Sequence, residues 1–342
     1  MTIHIGRCLD TSGIGARGAA IVTAVTDILR QRIAVLEERL GGSEQPRPWP
    51  SGWREGSDPV PPPRIGVVAY RLGTASVPRD SAAVERLSPV GAFAHRSDET
   101  FPAASTMKVY VLQALLEAVV AGDKDLGDSR ELTASDQVTG SGVLKLMSVG
   151  ARLTLLDLAT VMICVSDNSA TNMLIDELSI ERIRTSVESN GWTDTSLSGK
   201  LQQAPVVGGT KRSPTVTSPR DLADYFGRLW SGDLLPPELT EVAIRIYRRQ
   251  QFGELGRTIG YDQYSAEIGV SDLVIASKSG SIRGVRNDAG VIERTTADGT
   301  DRTVLAVMTD GCADLRFHAE NLGARVVGDV SAAVLEHLRQ PA

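Results

Sequence analysis

Ser105 and Lys108 stand three residues apart in Ser105-Thr106-Met107-Lys108, which follows Phe101-Pro102-Ala103-Ala104 and reads as the opening of a helix. That spacing puts both side chains on one helical face. The Ser Oγ then lies near the positive end of the helix dipole, where an oxyanion is favoured. A buried lysine amine beside it can lose its proton and act as a base. Taken alone the pair says little, because a capping Ser followed by a surface Lys has the same spelling. Ser166-Asp167-Asn168 follows at the end of an apolar helix, and Lys278-Ser279-Gly280 at the end of a strand over 273–277. Each has its own plain reading, the first as a helix cap and the second as a polar turn. The ordered triple, each member in a suitable setting, is far rarer than any one of them.

The elements that must position these residues divide the chain. An amphipathic helix is expected over about 17–41, within an N-terminal segment 1–44. Residues 45–63 hold seven of the sixteen prolines and read as a stiff surface loop. Ile65–Tyr70 reads as a buried strand and Val90–Ala94 as a second. From 105 to about 250 the pattern is helical, with helices over 105–121, 154–165, 167–178, 217–231 and 237–250. Strands return at 273–276, 289–293 and 304–308, the last two pairing across Ala297-Asp298-Gly299-Thr300. A final helix covers about 315–339. The fold class is therefore α/β in the α+β sense. An antiparallel sheet is assembled from the two ends of the chain (about 64–100 and 270–342), with terminal helices against it. A large all-helical lobe, about 101–269, is inserted.

Bulk composition narrows the function. The chain has 342 residues and net charge −6, which argues against a nucleic-acid partner. No apolar run is long enough for a membrane span. The apolar stretch 19–25 is too tightly bracketed by Arg17 and Asp27 for a signal peptide, so a cytoplasmic protein is expected. The three Cys and four His show no metal-ligand spacing, so neither metal nor cofactor is expected. Of 36 basic residues only six are Lys, and two of these occupy the motifs, at 108 and 278. Lys124, Lys145, Lys200 and Lys211 are left as surface residues. Arg does not deprotonate in a protein, so an amine retained in an Arg-rich chain is a candidate for titration.

The three motifs together make the chain resemble a class A β-lactamase-related serine hydrolase, of the superfamily that includes penicillin-binding proteins. The resemblance covers about 64–340. It is densest around Leu153–Leu174, including Ser169-Ala170-Thr171-Asn172, and at Asn287-Asp288-Ala289-Gly290. It implies an active site between the two lobes and an acyl-enzyme formed on Ser105 with a β-lactam or related amide or ester. It implies that Lys108 takes the Ser105 proton or sets the site's electrostatics, and that Ser166 relays a proton to the leaving nitrogen. Asn168 would bind a substrate amide and help to fix Lys108. Lys278 and Ser279, with Gly280 between the lobes, would bind the substrate carboxylate. The N–H groups of Ser105 and Ser281 would form the oxyanion hole, and Arg286 would assist with a carboxylate. The expected partner is a small-molecule acyl donor, and the expected state is a monomer.

One departure stands out. The family carries a Glu on an Ω-shaped loop that activates water to release the acyl group. Here the corresponding run, 195–220, has neither Asp nor Glu, and Gln202 and Gln203 stand about where the Glu is expected. An amide is not a base at neutral pH. Acylation then remains open while hydrolytic release is in doubt. An acyltransferase, an esterase, a D,D-peptidase-like enzyme or a slowly deacylating receptor are the alternatives, unless Glu177 or Asp136 supplies a carboxylate.

Overall fold

The computed structural model describes residues 16–42, 61–72, 91–201 and 215–339, with the side chains of the first helix from residue 26 onward. Gln202, Gln203, Lys211 and most of the Pro-rich loop lie outside the described residues.

Nine strands and nine α-helices are labelled here in chain order among the described residues. Helix α1 is Ala16–Gly41, followed by β1 (Arg64–Arg71), β2 (Ala92–His95) and the short β3 (Phe101–Pro102). A 3₁₀ turn, Ala104–Met107, runs into α2 (Lys108–Val120). Then come β4 (Ser129–Glu131), β5 (Arg152–Thr154), α3 (Leu155–Cys164), α4 (Asn168–Leu178) and α5 (Ile180–Asn190). After β6 (Val216–Thr217) follow α6 (Pro219–Ser231), α7 (Pro237–Tyr247) and α8 (Gln263–Glu267). The chain closes with β7 (Leu273–Ile282), β8 (Val285–Thr296), β9 (Gly299–Asp310) and α9 (Leu322–Leu338).

The main sheet has the order β2-β1-β9-β8-β7, and every neighbouring pair is antiparallel. β1 therefore pairs with β9 across most of the chain, Val67 opposite Val307. The β8–β9 hairpin turns at Ala297-Asp298, inside the tetrapeptide read as a turn. The strands run longer than their apolar cores suggested, and β7 continues through the polar residues Ser277–Ser281.

Period-two alternation divides the sheet between two cores. Val68 and Tyr70 of β1, Ala276 of β7, Ala289 and Val291 of β8, and Val304, Ala306 and Met308 of β9 face the helical lobe. Ile65, Val67, Ala69, Ile275, Ile292, Leu305 and Val307 face the other way, onto Leu29 and Ile33 of α1 and Val326, Val327 and Val330 of α9. The helix ends are set by local chemistry. Thr154 and Asp157 form a capping box at α3. Ser218 caps α6, whose first residue is Pro219.

Tyr70 joins β1 to α6. Its hydroxyl donates to the Ala223 carbonyl at 2.9 Å. The ring reaches that carbonyl only because Gly227, one turn on, has no side chain; a Cβ there would overlap the Tyr70 hydroxyl. Gly227→Ala should lower stability by about 1–3 kcal/mol. Tyr70→Phe should recover part of that loss in the double variant, read by denaturant unfolding as a non-additive cycle.

Candidate active site

The turn that carries Ser105 is fixed before any helix begins. β3 pairs with β6, and the Ala103 N–H donates to the Thr215 carbonyl at 3.0 Å. Ala104 then takes a left-handed φ of 48°, an uncommon conformation for a residue with a Cβ. Thr106 Oγ1 donates back to the Ala103 carbonyl at 2.6 Å. Ser105 is half-buried, while Thr106, Met107 and Lys108 are fully buried.

Lys108 crosses to the second motif. Its Nζ lies 2.7 Å from the Ser166 carbonyl, 3.0 Å from Asn168 Oδ1 and 3.0 Å from Ser166 Oγ. Burial, then the positive charge of Lys278, holds this amine well below the usual lysine range, and Asp167 opposes the shift. A neutral amine has two N–H groups and one lone pair. The two carbonyl-type oxygens can only accept, so they take the two N–H groups. The lone pair is then left for a hydroxyl proton. Ser166 presents both its carbonyl and its hydroxyl by adopting a left-handed φ of 55° between α3 and α4.

Asp167, the middle residue of the motif, is a clamp. Its Oδ1 accepts from Ala170 N at 2.9 Å and caps α4. Its Oδ2 accepts from the N–H groups of Val143 (2.6 Å) and Leu144 (2.8 Å). The Asn168 N–H donates to the Ser141 carbonyl, and its Nδ2 donates to the Thr139 carbonyl at 3.1 Å. Loop 139–144 is thereby tied to the motif as a wall. One N–H of Asn168 Nδ2 is not accounted for by these bonds.

The third motif lies on β7, an edge strand. Lys278 and Gly280 share the parity of Ala276 and so face the helical lobe. Lys278 is fully buried and donates to the Ser279 carbonyl at 2.7 Å. Burial brings its amine down to about 7, against the pull of Asp288. Gly280 packs on the turn that carries Ser105: a Cβ there would sit 2.9 Å from the Ala103 carbonyl oxygen and 3.0 Å from the Ser105 nitrogen. The direction of the Ser281 N–H follows from its partner across the ladder, Arg286. The Arg286 N–H donates to Thr309 Oγ1 of β9 at 2.9 Å. It therefore points away from β7, the pair is a non-hydrogen-bonded one, and the Ser281 N–H points to the open edge.

Arg286 stands at the start of β8, where the sequence reading put it. It falls on the α9 face of β8, packed against Gly323 and opposite in parity to Asn287, which bonds the Pro102 carbonyl at 2.8 Å. Its guanidinium is buried and donates to the carbonyls of Ile282, Val285 and Arg316. The ring of Phe317 stacks under it at 4.8 Å. Strand alternation sends the side chain behind the sheet.

Neither alternative carboxylate reaches the site. Glu177 is paired with Lys124 and Arg130. Asp136 closes a turn on the N–H and hydroxyl of Thr133. Lys145 donates to the Gly140 carbonyl and Lys200 to Asp176, so these lysines, like Lys124, have partners.

The sequence reading missed a contact that fixes the start of the acid-free loop. Asn172 lies one turn after Asn168 on α4, on the same face. Its Oδ1 accepts from the Leu201 N–H at 2.7 Å and its Nδ2 donates to the Leu201 carbonyl at 2.9 Å. The main chain of Leu201 is thus held about one helical turn from the Asn168–Lys108 contact. An Asn four residues after the motif Asn was the available signal, but its partner is distant in sequence.

The sequence profile of the "Beta-lactamase enzyme family" matches residues 80–338. A β-lactamase of Streptomyces albus G is 30% identical over 255 residues, 72% of each chain. A β-lactamase of Rhodobacter capsulatus is 26% identical over 322 residues, covering 93% of this chain and 94% of its own. The crystal structure of a β-lactamase from Sphaerobacter thermophilus superposes with a TM-score of 0.66 at 30% identity, over 81% of this chain and 91% of the other. The chain belongs to the β-lactamase enzyme family, and it is a serine hydrolase with the class A fold. Among the described residues no helix is long and apolar enough to cross a membrane.

The seam between Gly280 and the turn that carries Ser105 gives a sharp expectation. Gly280→Ala should leave the protein folded by circular dichroism and lower the rate of covalent labelling at Ser105 by roughly tenfold or more, because misplacement of about 1 Å near the reacting atoms costs on that order.

Proposed function

We propose that this protein opens a β-lactam or a related strained amide or ester by forming an acyl-enzyme on Ser105. The observation that carries the reading is the amine of Lys108, three residues along the chain from Ser105: it is buried, depressed and left with a lone pair beside the Ser166 hydroxyl. Ser105 Oγ attacks the carbonyl carbon while its proton passes to Lys108 Nζ. The developing oxyanion is met by the N–H groups of Ser105 and Ser281. The C–N bond then breaks, and Ser166 hands a proton to the leaving nitrogen while taking in its place the proton held on Lys108, 3.0 Å away. Lys278 and Ser279 receive the substrate carboxylate. Arg286 has no part in this scheme.

We further infer that the acyl group leaves slowly. Hydrolysis needs a base for the attacking water, and the residue whose main chain α4 holds, one helical turn on from Asn168, is Leu201. This favours a long-lived adduct, or transfer to an acceptor other than water, over rapid turnover.

Intact mass after exposure to penicillin G and to a chromogenic cephalosporin tests both parts. A lasting adduct on Ser105, absent in Ser105→Ala, is expected. Failure to acylate Ser105 with either compound would overturn the first part, and rapid colour without an adduct the second. Lys108→Arg should lower acylation by roughly 100-fold or more, since a guanidinium does not take the proton. Leu201→Glu should speed loss of the adduct by roughly tenfold or more. An unchanged adduct lifetime would remove Leu201 from the place assigned to it.

A further inference from the structure

We propose that Asp288 is a positioning residue that keeps the Lys278 ammonium charged from behind the sheet, so that Lys278 can receive an anionic substrate. This rests on the reading of Lys278 as the carboxylate-binding amine. Lys278 is fully buried, yet the acceptor of its hydrogen bond is a neutral carbonyl, that of Ser279. Among the described residues no carboxylate is in hydrogen-bond contact with it. On the neighbouring strand Asp288 stands opposite Ser279, one residue out of register with Lys278 and on the other face of the sheet. A single layer of main chain separates the two side chains.

Asp288 is itself fully buried. Its Oδ2 accepts from the N–H groups of Glu254 at 2.6 Å and Leu255 at 3.0 Å, while its Oδ1 meets no protein donor. A half-satisfied carboxylate in a dry interior is costly unless a positive charge lies near. Each member of the pair therefore supplies what the other lacks. The groups that face them are few. Lys278 meets Cys164 of α3 and shares the lobe face with Lys108 of α2 and Asn287 of β8. Asp288 meets Ser277 of β7, and Glu254 and Gly253 of the preceding loop. Glu254 is turned to Arg257. Burial raises the Asp288 carboxyl to about 6 and lowers the Lys278 amine to about 7. Between those values the two carry opposite charges, and their protonation steps belong to the pair rather than to either residue. Removing the carboxylate leaves burial opposed only by Cys164, so the Lys278 proton departs at lower pH.

Six lysines make a ¹³C-lysine spectrum of the whole protein assignable by single substitution. In Asp288→Asn the Lys278 ¹³Cε titration midpoint should fall by about one pH unit or more. The alkaline limb of Ser105 acylation by penicillin G should move down by the same amount. Acylation by an uncharged ester should shift less, because Lys278 reaches that reaction only through the charge it presents to Lys108. A purely structural role for Asp288 would lower both rates at every pH and leave the midpoint alone. An unchanged Lys278 midpoint in folded Asp288→Asn overturns the proposal. If that variant does not fold, the wild-type protein decides: the Lys278 signal should carry a second inflection near the Asp288 titration, and its absence overturns the proposal equally. Movement of the resonance without any acylation of Ser105 would instead reject the acyl-enzyme reading and leave the coupling standing.

Discussion

Two lysine amines are buried in one site without a carboxylate among the described residues in hydrogen-bond contact, and much of the surrounding structure follows from that. Bringing an ammonium out of water is opposed by several kcal/mol. Two of them near each other are opposed further. The fold meets this by surrounding Lys108 with carbonyl-type oxygens and a hydroxyl, groups that suit a neutral amine. It keeps the negative charges at one remove. Asp167 stands beside the second motif with its oxygens occupied by N–H groups. Asp288 stands behind the third. The result is two amines of unlike character from similar burial, one far below its usual range and one near neutrality. An arginine would not serve at the Lys108 place, because it stays charged where a neutral base is needed.

The three motifs lie on three separate elements, and the structure shows why each carries small or turn-forming residues around its reactive one. Ala104 and Ser166 accept left-handed backbone so that their neighbours or their own oxygens turn inward. Gly280 lets the edge strand touch the turn that carries Ser105, main chain on main chain. The middle Asp of the second motif touches neither Lys108 nor Ser166 through its side chain. It fastens the wall of the cleft instead. The site is therefore a junction of backbones, and side-chain chemistry is placed on it by where those backbones are pinned.

Much of this was legible in the sequence. The motif residues 105, 108, 166, 168, 278 and 280 are local words, and the alternation of strands and helices gives the layout. What escaped depends on parity or on distant pairing. Arg286 was assigned to the cleft, yet alternation from Ala289 and Asn287 sends it to the opposite face. The end of β7 was drawn short because Ser277–Ser281 lacks apolar residues; the pairing with β8 supplies the strand. Gln202 and Gln203 drew attention as polar residues in a run without acids, whereas the residue clasped to α4 is the apolar Leu201. Composition can reveal that a group is missing from a loop. Which backbone position α4 holds is visible only in the fold.

The pairing of β1 with β9 has a consequence for how the molecule comes into being. Strand β1 lies inside the sheet, between the edge strand β2 and the central β9, yet some 240 residues separate Val67 from Val307. On a ribosome working at about 5–20 residues per second, β1 waits on the order of tens of seconds for its partner. Throughout that time the inner edge of β1 is uncovered, and the apolar faces of Ile65, Val67 and Ala69 are without α9. The helical lobe, built from near neighbours in sequence, can form early. The sheet closes last, and with it the seam that brings Lys278 and Gly280 to Ser105. Catalytic competence is in this sense a late event of synthesis, conferred by the final strands.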